Sequence, residues 1–161
     1  MNNNLKLSDN YFLYEDDYFD GASFEVNESF VRFWSHSMEV PVLFVYAPGS
    51  EEDTLPDDVD ETTIPAIAIM TDDEIGAYEE FKSSGNISNA LVFERLNRKF
   101  LFRGKTKYFG EMMYFYGFDI TDDGWENMLL CIRYPMELVD TEDERRLMEI
   151  LDHAAVTFRA N

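Results

Sequence analysis

Four β-patterned runs stand close together near the middle of this chain, at 90–95, 99–103, 108–119 and 126–134. The gaps between them hold turn formers: Leu96-Asn97, Gly104-Lys105 and Asp122-Asp123-Gly124. Parallel neighbours need a long crossover, so strands this close in sequence must pair antiparallel, as a meander. The run 11–14 is apolar and aromatic. Further strands are expected from the alternating and aromatic stretch 22–35, although Phe30, Trp34 and Met38 also lie at helical spacing, and from 40–46 and 63–70. Pro41 falls near the start of its run, where a missing N–H is tolerated.

Two helices interrupt this pattern. Thr71-Asp72-Asp73-Glu74 reads as a capping box, followed by an apolar stripe of Ile75, Tyr78 and Phe81 and a stop at Gly85-Asn86. Thr141-Glu142-Asp143-Glu144 reads as a second box. Behind it Leu147, Ile150, Leu151, Ala154 and Phe158 fall on one helical face, with Arg145, Arg146, Glu149 and Asp152 mostly elsewhere. The expected fold class is α+β: an antiparallel meander sheet with an amphipathic C-terminal helix and a shorter internal helix packed on it. With 161 residues and 45% apolar content, 14 Phe and 9 Tyr among them, residues 1–161 make a single domain with a sizeable core.

Charge narrows the function. Thirteen Lys and Arg stand against 33 Asp and Glu, a formal charge of −20. A phosphate-backbone binder needs the opposite sign, so direct nucleic-acid binding is excluded. The acids concentrate in two places. Glu15, Asp16 and Asp17 sit among Tyr14, Tyr18 and Phe19. Glu51, Glu52, Asp53, Asp57, Asp58, Asp60 and Glu61 form a run without a cation, expected to be a solvated loop. The exception is the stretch 95–107, where Arg95, Arg98, Lys99, Arg103, Lys105 and Lys107 occur with no acid. The molecule is therefore expected to be bipolar, with a cationic hairpin on an anionic body.

Chemistry-bearing constellations are scarce. One cysteine, Cys131 in an apolar strand pattern, gives neither a disulfide framework nor a cysteine zinc site. His36 lies between Ser35 and Ser37, which on a strand would point away from its face. His153, near the end of the C-terminal helix, is accounted for by the helix dipole. The EF-hand-like windows 16–27 and 119–130 end in Asn27 and Leu130 where a bidentate glutamate is needed, so both read as β-turns. Gly104-Lys105-Thr106 lacks the upstream glycine of a phosphate loop and reads as a turn. Among 33 acids close carboxylate pairs arise by chance, so a carboxylate-based hydrolase is the last of the readings. No metal or cofactor is expected, and the protein is not expected to be an enzyme. There is no basic segment followed by an apolar one at the N-terminus and no long apolar run, so a cytoplasmic protein that does not enter membranes is expected.

Two accounts of the charge remain: solubility, and attraction to a basic partner. A small acidic α+β domain with acid runs at 15–20 and 51–61 resembles the immunity proteins of bacterial toxin–immunity pairs, including contact-dependent inhibition systems. The resemblance implies a non-catalytic protein that binds and neutralises a basic cognate toxin domain, often a nuclease. On that reading the acids of the two runs steer and pair, while Tyr14, Tyr18 and Phe19 anchor. The stretch 128–159, with its strand, Pro135, acidic turn, capped helix and Phe158-Arg159, is similar to the C-terminal end of PsbP-like domains. That likeness implies an adaptor or chaperone for a secreted protein, working through an apolar groove on the 108–119 strand.

Overall fold

A computed structural model describes residues 7–16, 22–45, 59–71, 94–95, 98–119 and 127–159. It contains nine strands and one α-helix among those residues: β1 (Tyr11–Asp16), β2 (Ala22–Asn27), β3 (Phe30–Trp34), β4 (Pro41–Val45), β5 (Ala66–Thr71), β6 (Glu94–Arg95), β7 (Arg98–Tyr108), β8 (Glu111–Asp119), β9 (Asn127–Pro135) and α1 (Glu142–Thr157). Short 3-10 turns lie at Glu61–Thr63 and Met136–Leu138. The fold is α+β, as expected. The internal helix placed after Thr71 lies outside the described residues.

The large sheet has the order β3-β4-β5-β9-β8-β7-β6, with every neighbour antiparallel. It is two meanders, β3-β4-β5 and β6-β7-β8-β9, joined where β9 pairs with β5. The last strand is thus the central one. Its Leu129, Leu130, Cys131 and Ile132 have no exposed surface. A strand covered on both faces needs apolar residues at every position, so it reads as a continuous run, without alternation. Burial pushes the Cys131 thiol up to about 11, so it is an inert part of the core.

Alternation along β8 feeds two separate cores. Met112, Tyr114 and Tyr116 join Ile67, Leu130 and Ile132 beneath α1 and the β1–β2 ribbon. Met113 and Phe115 face the other way, with Phe33, Phe44, Leu129 and Cys131. The strand on which an adaptor groove was expected is therefore filled on both sides from Met112 to Tyr116.

Gly104-Lys105 is not a turn. β7 runs straight through it, and Gly104 stands opposite Phe115. A Cβ on Gly104 would lie 2.9 Å from Phe115 Cζ, so the glycine gives the ring its place. The chain reverses instead at Phe109-Gly110, between the paired residues Tyr108 and Glu111. Both turn residues have positive φ, 48° and 83°, the conformation that suits the twist of a two-residue hairpin.

Helix α1 starts at an N-cap, Thr141, whose Oγ1 accepts the Glu144 N–H at 3.3 Å. The return arm of the capping box is shifted by one residue. Glu144 Oε1 accepts from the Asp140 N–H at 3.0 Å, because the Thr141 N–H is already bonded to the Leu138 carbonyl. The expected apolar face, Leu147, Ile150, Leu151, Ala154 and Phe158, is buried throughout. Burying one leucine of this kind contributes about 1.5–3 kcal/mol.

Candidate partner-binding surface

The β1–β2 ribbon lies over α1 and is fixed to it from β2. Ser23 and Arg159 exchange two backbone hydrogen bonds at 2.8 Å, and the Glu25 N–H donates to Thr157 Oγ1 at 2.8 Å. Glu25 Oε1 is 3.0 Å from His153 Nε2, and the His153 ring stacks on Tyr11 with centroids 4.1 Å apart. This pairing gives His153 a specific reason for its position, beyond the helix dipole. Burial, assisted by the Glu149 carboxylate, raises the Tyr11 phenol, which stays neutral.

Alternation decides which β1 side chains face outward. Tyr14 stands opposite Phe24 and packs on it at 5.3 Å between ring centroids. At 7% exposure it is a core residue, which corrects its assignment as a surface anchor. Glu15 is exposed, and Asp16 ends the strand opposite Ala22. The other members of this run, Asp17, Tyr18 and Phe19, lie outside the described residues. The exposed apolar surface is one step earlier, at Tyr11 (37%), Phe12 (40%) and Leu13 (58%). A signal for this was available: Tyr11 and Leu13 share the face of charged Glu15 at the two-residue period of a strand.

Asp9, Glu25 and Glu28 surround this surface. Glu28 Oε1 accepts from Ser8 Oγ at 2.5 Å and from Asn10 Nδ2 at 3.3 Å. Asn27, buried at the end of β2, donates to the Ser8 carbonyl at 2.6 Å and accepts the Ser29 N–H at 2.9 Å. The segment leading into β1 is thereby tied to the β2–β3 turn. Asn27 is also the residue that fails as the twelfth calcium ligand, and its amide is committed to these backbone partners.

The second acidic run is described only at its end. Asp60 is exposed and caps the 3-10 turn, accepting from the Thr62 N–H at 3.0 Å. Glu61 has an internal role. Its carboxylate accepts from Ser35 Oγ at 2.9 Å, Ser37 Oγ at 2.8 Å and the His36 N–H at 2.6 Å. Burial alone would raise this carboxyl, but the donors outweigh it and hold it below the usual range. The two serines converge because β3 ends at Trp34. Ser35–Ser37 therefore belong to a turn, and the strand rule that would point them away from His36 does not apply. Glu51, Glu52, Asp53, Asp57 and Asp58 lie outside the described residues.

The cationic strand β7 turns some of its charge inward. Lys105 Nζ is 3.4 Å from Glu144 Oε2 on α1. Arg103 hydrogen-bonds Tyr116 near Asp152, and that contact raises its already high pKa. Asp152 accepts hydroxyl hydrogens from both Tyr114 and Tyr116, the latter at 2.6 Å. These groups tie the helix to the sheet. On the opposite face Arg133 Nη1 is 3.5 Å from Glu111 Oε2 and Nη2 is 3.2 Å from Met38 Sδ, while Nε has no partner.

Among the described residues no three His, Cys, Asp or Glu side chains gather where they could hold a metal ion. No described helix is long and apolar enough to cross a membrane. No protein-family model matches this chain, and no curated protein matches it.

Proposed function

We propose that this chain is a non-catalytic binding protein of the immunity type, which occupies and neutralises a basic toxin domain, a nuclease by preference. The observation that carries the reading is the exposed Tyr11-Phe12-Leu13 patch with carboxylates around it, on a chain of net charge −20. A nuclease has a cationic cleft for its polynucleotide, and an anionic surface is steered into such a cleft. Exposed aromatics beside the acids supply the apolar contact that holds the complex after encounter. Rim charges mainly set the association rate, whereas the desolvated ring contacts set the dissociation rate.

The test is calorimetric titration of the purified protein with the basic toxin domain encoded beside its gene, at low and at physiological salt. Tight binding that weakens as salt rises supports the reading. No binding, or binding indifferent to salt, overturns it.

A further inference from the structure

Among the described residues the ribbon that carries the exposed patch has two strands, and β1 pairs with β2 along one edge. A strand edge presents unpaired N–H and C=O groups that accept another strand, and proteins blunt such edges with cations, proline, bulges or short length. The large sheet does so at its β3 end. Its β3 edge carries exposed Arg32 in mid-strand. β1 has none of these devices. Its six residues, YFLYED, contain no cation and no proline, and its register with β2 is continuous from Tyr11–Asn27 to Asp16–Ala22. Three consecutive apolar side chains on it are more than a third exposed. The ribbon beneath is held by the β2 bonds to Thr157 and Arg159, so the edge is ordered before anything binds to it.

We infer that the outer edge of β1 receives an extended, basic segment of a partner protein as a third strand of the ribbon. Charge selects this occupant. Exposed Glu15 lies on β1 itself and exposed Asp9 leads into it, so a strand alternating lysine or arginine with apolar residues is complementary to the edge. A second copy of this chain is disfavoured, since each copy carries −20. Backbone hydrogen bonds along the edge give affinity, and Phe12 and Leu13 give contact to the apolar positions of the added strand. The inference rests on the basic-partner reading, but it is tested with a separate probe, so that each can fail alone.

The probe is a short peptide alternating lysine and valine, compared with the same peptide N-methylated on alternate residues, which cannot complete a ladder. Hydrogen exchange of the full-length protein is followed with each. The expected result is slowed exchange confined to β1 and its flanks with the first peptide and none with the second. Leu13→Lys, a change at an exposed position, should weaken the peptide by about ten-fold or more while leaving the thermal midpoint unchanged. Equal binding of both peptides, protection elsewhere in the molecule, or β1 protection that grows with protein concentration in the absence of peptide would overturn the inference, the last by making the occupant a second copy. Failure of the toxin titration with a positive peptide result would remove the toxin partner and leave the edge assignment in place.

Discussion

Tyr134, fully buried on the central strand, donates its hydroxyl hydrogen to Glu144 Oε2 on α1 at 2.6 Å. The same carboxylate accepts the Asp140 N–H and meets Lys105. One residue therefore caps the helix, satisfies a buried phenol and docks the helix on the sheet.

Glu144→Ala should cost about 2–4 kcal/mol, because it strands the Tyr134 hydroxyl in the core and removes half of the cap. Tyr134→Phe should cost less, about 1–2 kcal/mol, because the carboxylate keeps its other donors. Urea unfolding of the two variants checks the order. The pH dependence follows from the sign. Burial would raise the Glu144 carboxyl, but the Tyr134, Asp140 and Lys105 contacts win and lower it. Its contribution is full above the ordinary glutamate range and is lost as pH falls through the lowered folded value. The gap between wild type and Glu144→Gln should therefore narrow on acidification.

The Glu111–Arg133 pair behaves in the opposite way. Burial raises the Glu111 carboxyl, Arg133 only partly offsets this, and Asp60 and Glu61 add to the rise. A raised folded value means stability that is present in acid and lost as pH climbs through that value. Removing Arg133 alone leaves a buried carboxylate without its cation and should cost about 3–5 kcal/mol near neutral pH. Lowering the pH should restore part of that loss, as Glu111 takes up a proton. The double change Glu111→Leu with Arg133→Met should be close to neutral, because the native pair is long and leaves Arg133 Nε unbonded. Unfolding curves at several pH values distinguish the variants.

Gly104→Ala should destabilise by about 1–3 kcal/mol, since the added methyl meets the Phe115 ring and that ring has no exposed surface into which to retreat. Combining it with Phe115→Leu should cost less than the sum of the two single changes, a non-additivity that thermal unfolding of all three variants would reveal.

These sites also mark where sequence and structure part. The strands, the capped helix and its buried face were legible because hydrophobic period and cap chemistry are local properties. Gly104 was misread because a glycine followed by lysine carries the same local signal in a turn as in a strand. Only the cross-strand position of Phe115 decides between them. Tyr14 was misread in a similar way. Its acidic neighbours suggest surface, but its pairing with Phe24 turns it inward. Ser35 and Ser37 converge on Glu61 because the strand stops at Trp34 and the chain turns, the turn being closed by the Glu39 N–H bond to the Ser35 carbonyl. Pairing across distance, which composition does not encode, decided each case.

The same contrast makes a prediction at the true turn. Phe109 has φ 48°, a conformation that costs an ordinary L-residue about 1 kcal/mol, and the residue is 86% exposed. Asparagine followed by glycine is the preferred pair for a two-residue hairpin of this kind, so Phe109→Asn should stabilise by about 0.5–1 kcal/mol. For a domain of this size that is a rise of roughly 1–4 °C in thermal midpoint. Phe109→Val should act in the reverse direction, because a β-branched side chain tolerates positive φ least. Gly110→Ala isolates the backbone effect: nothing lies within 4 Å of the added methyl, so any loss comes from φ 83° alone. If asparagine and valine shift the midpoint in the same direction, the turn does not have the conformation described. If alanine at 110 is silent, its positive φ is not required.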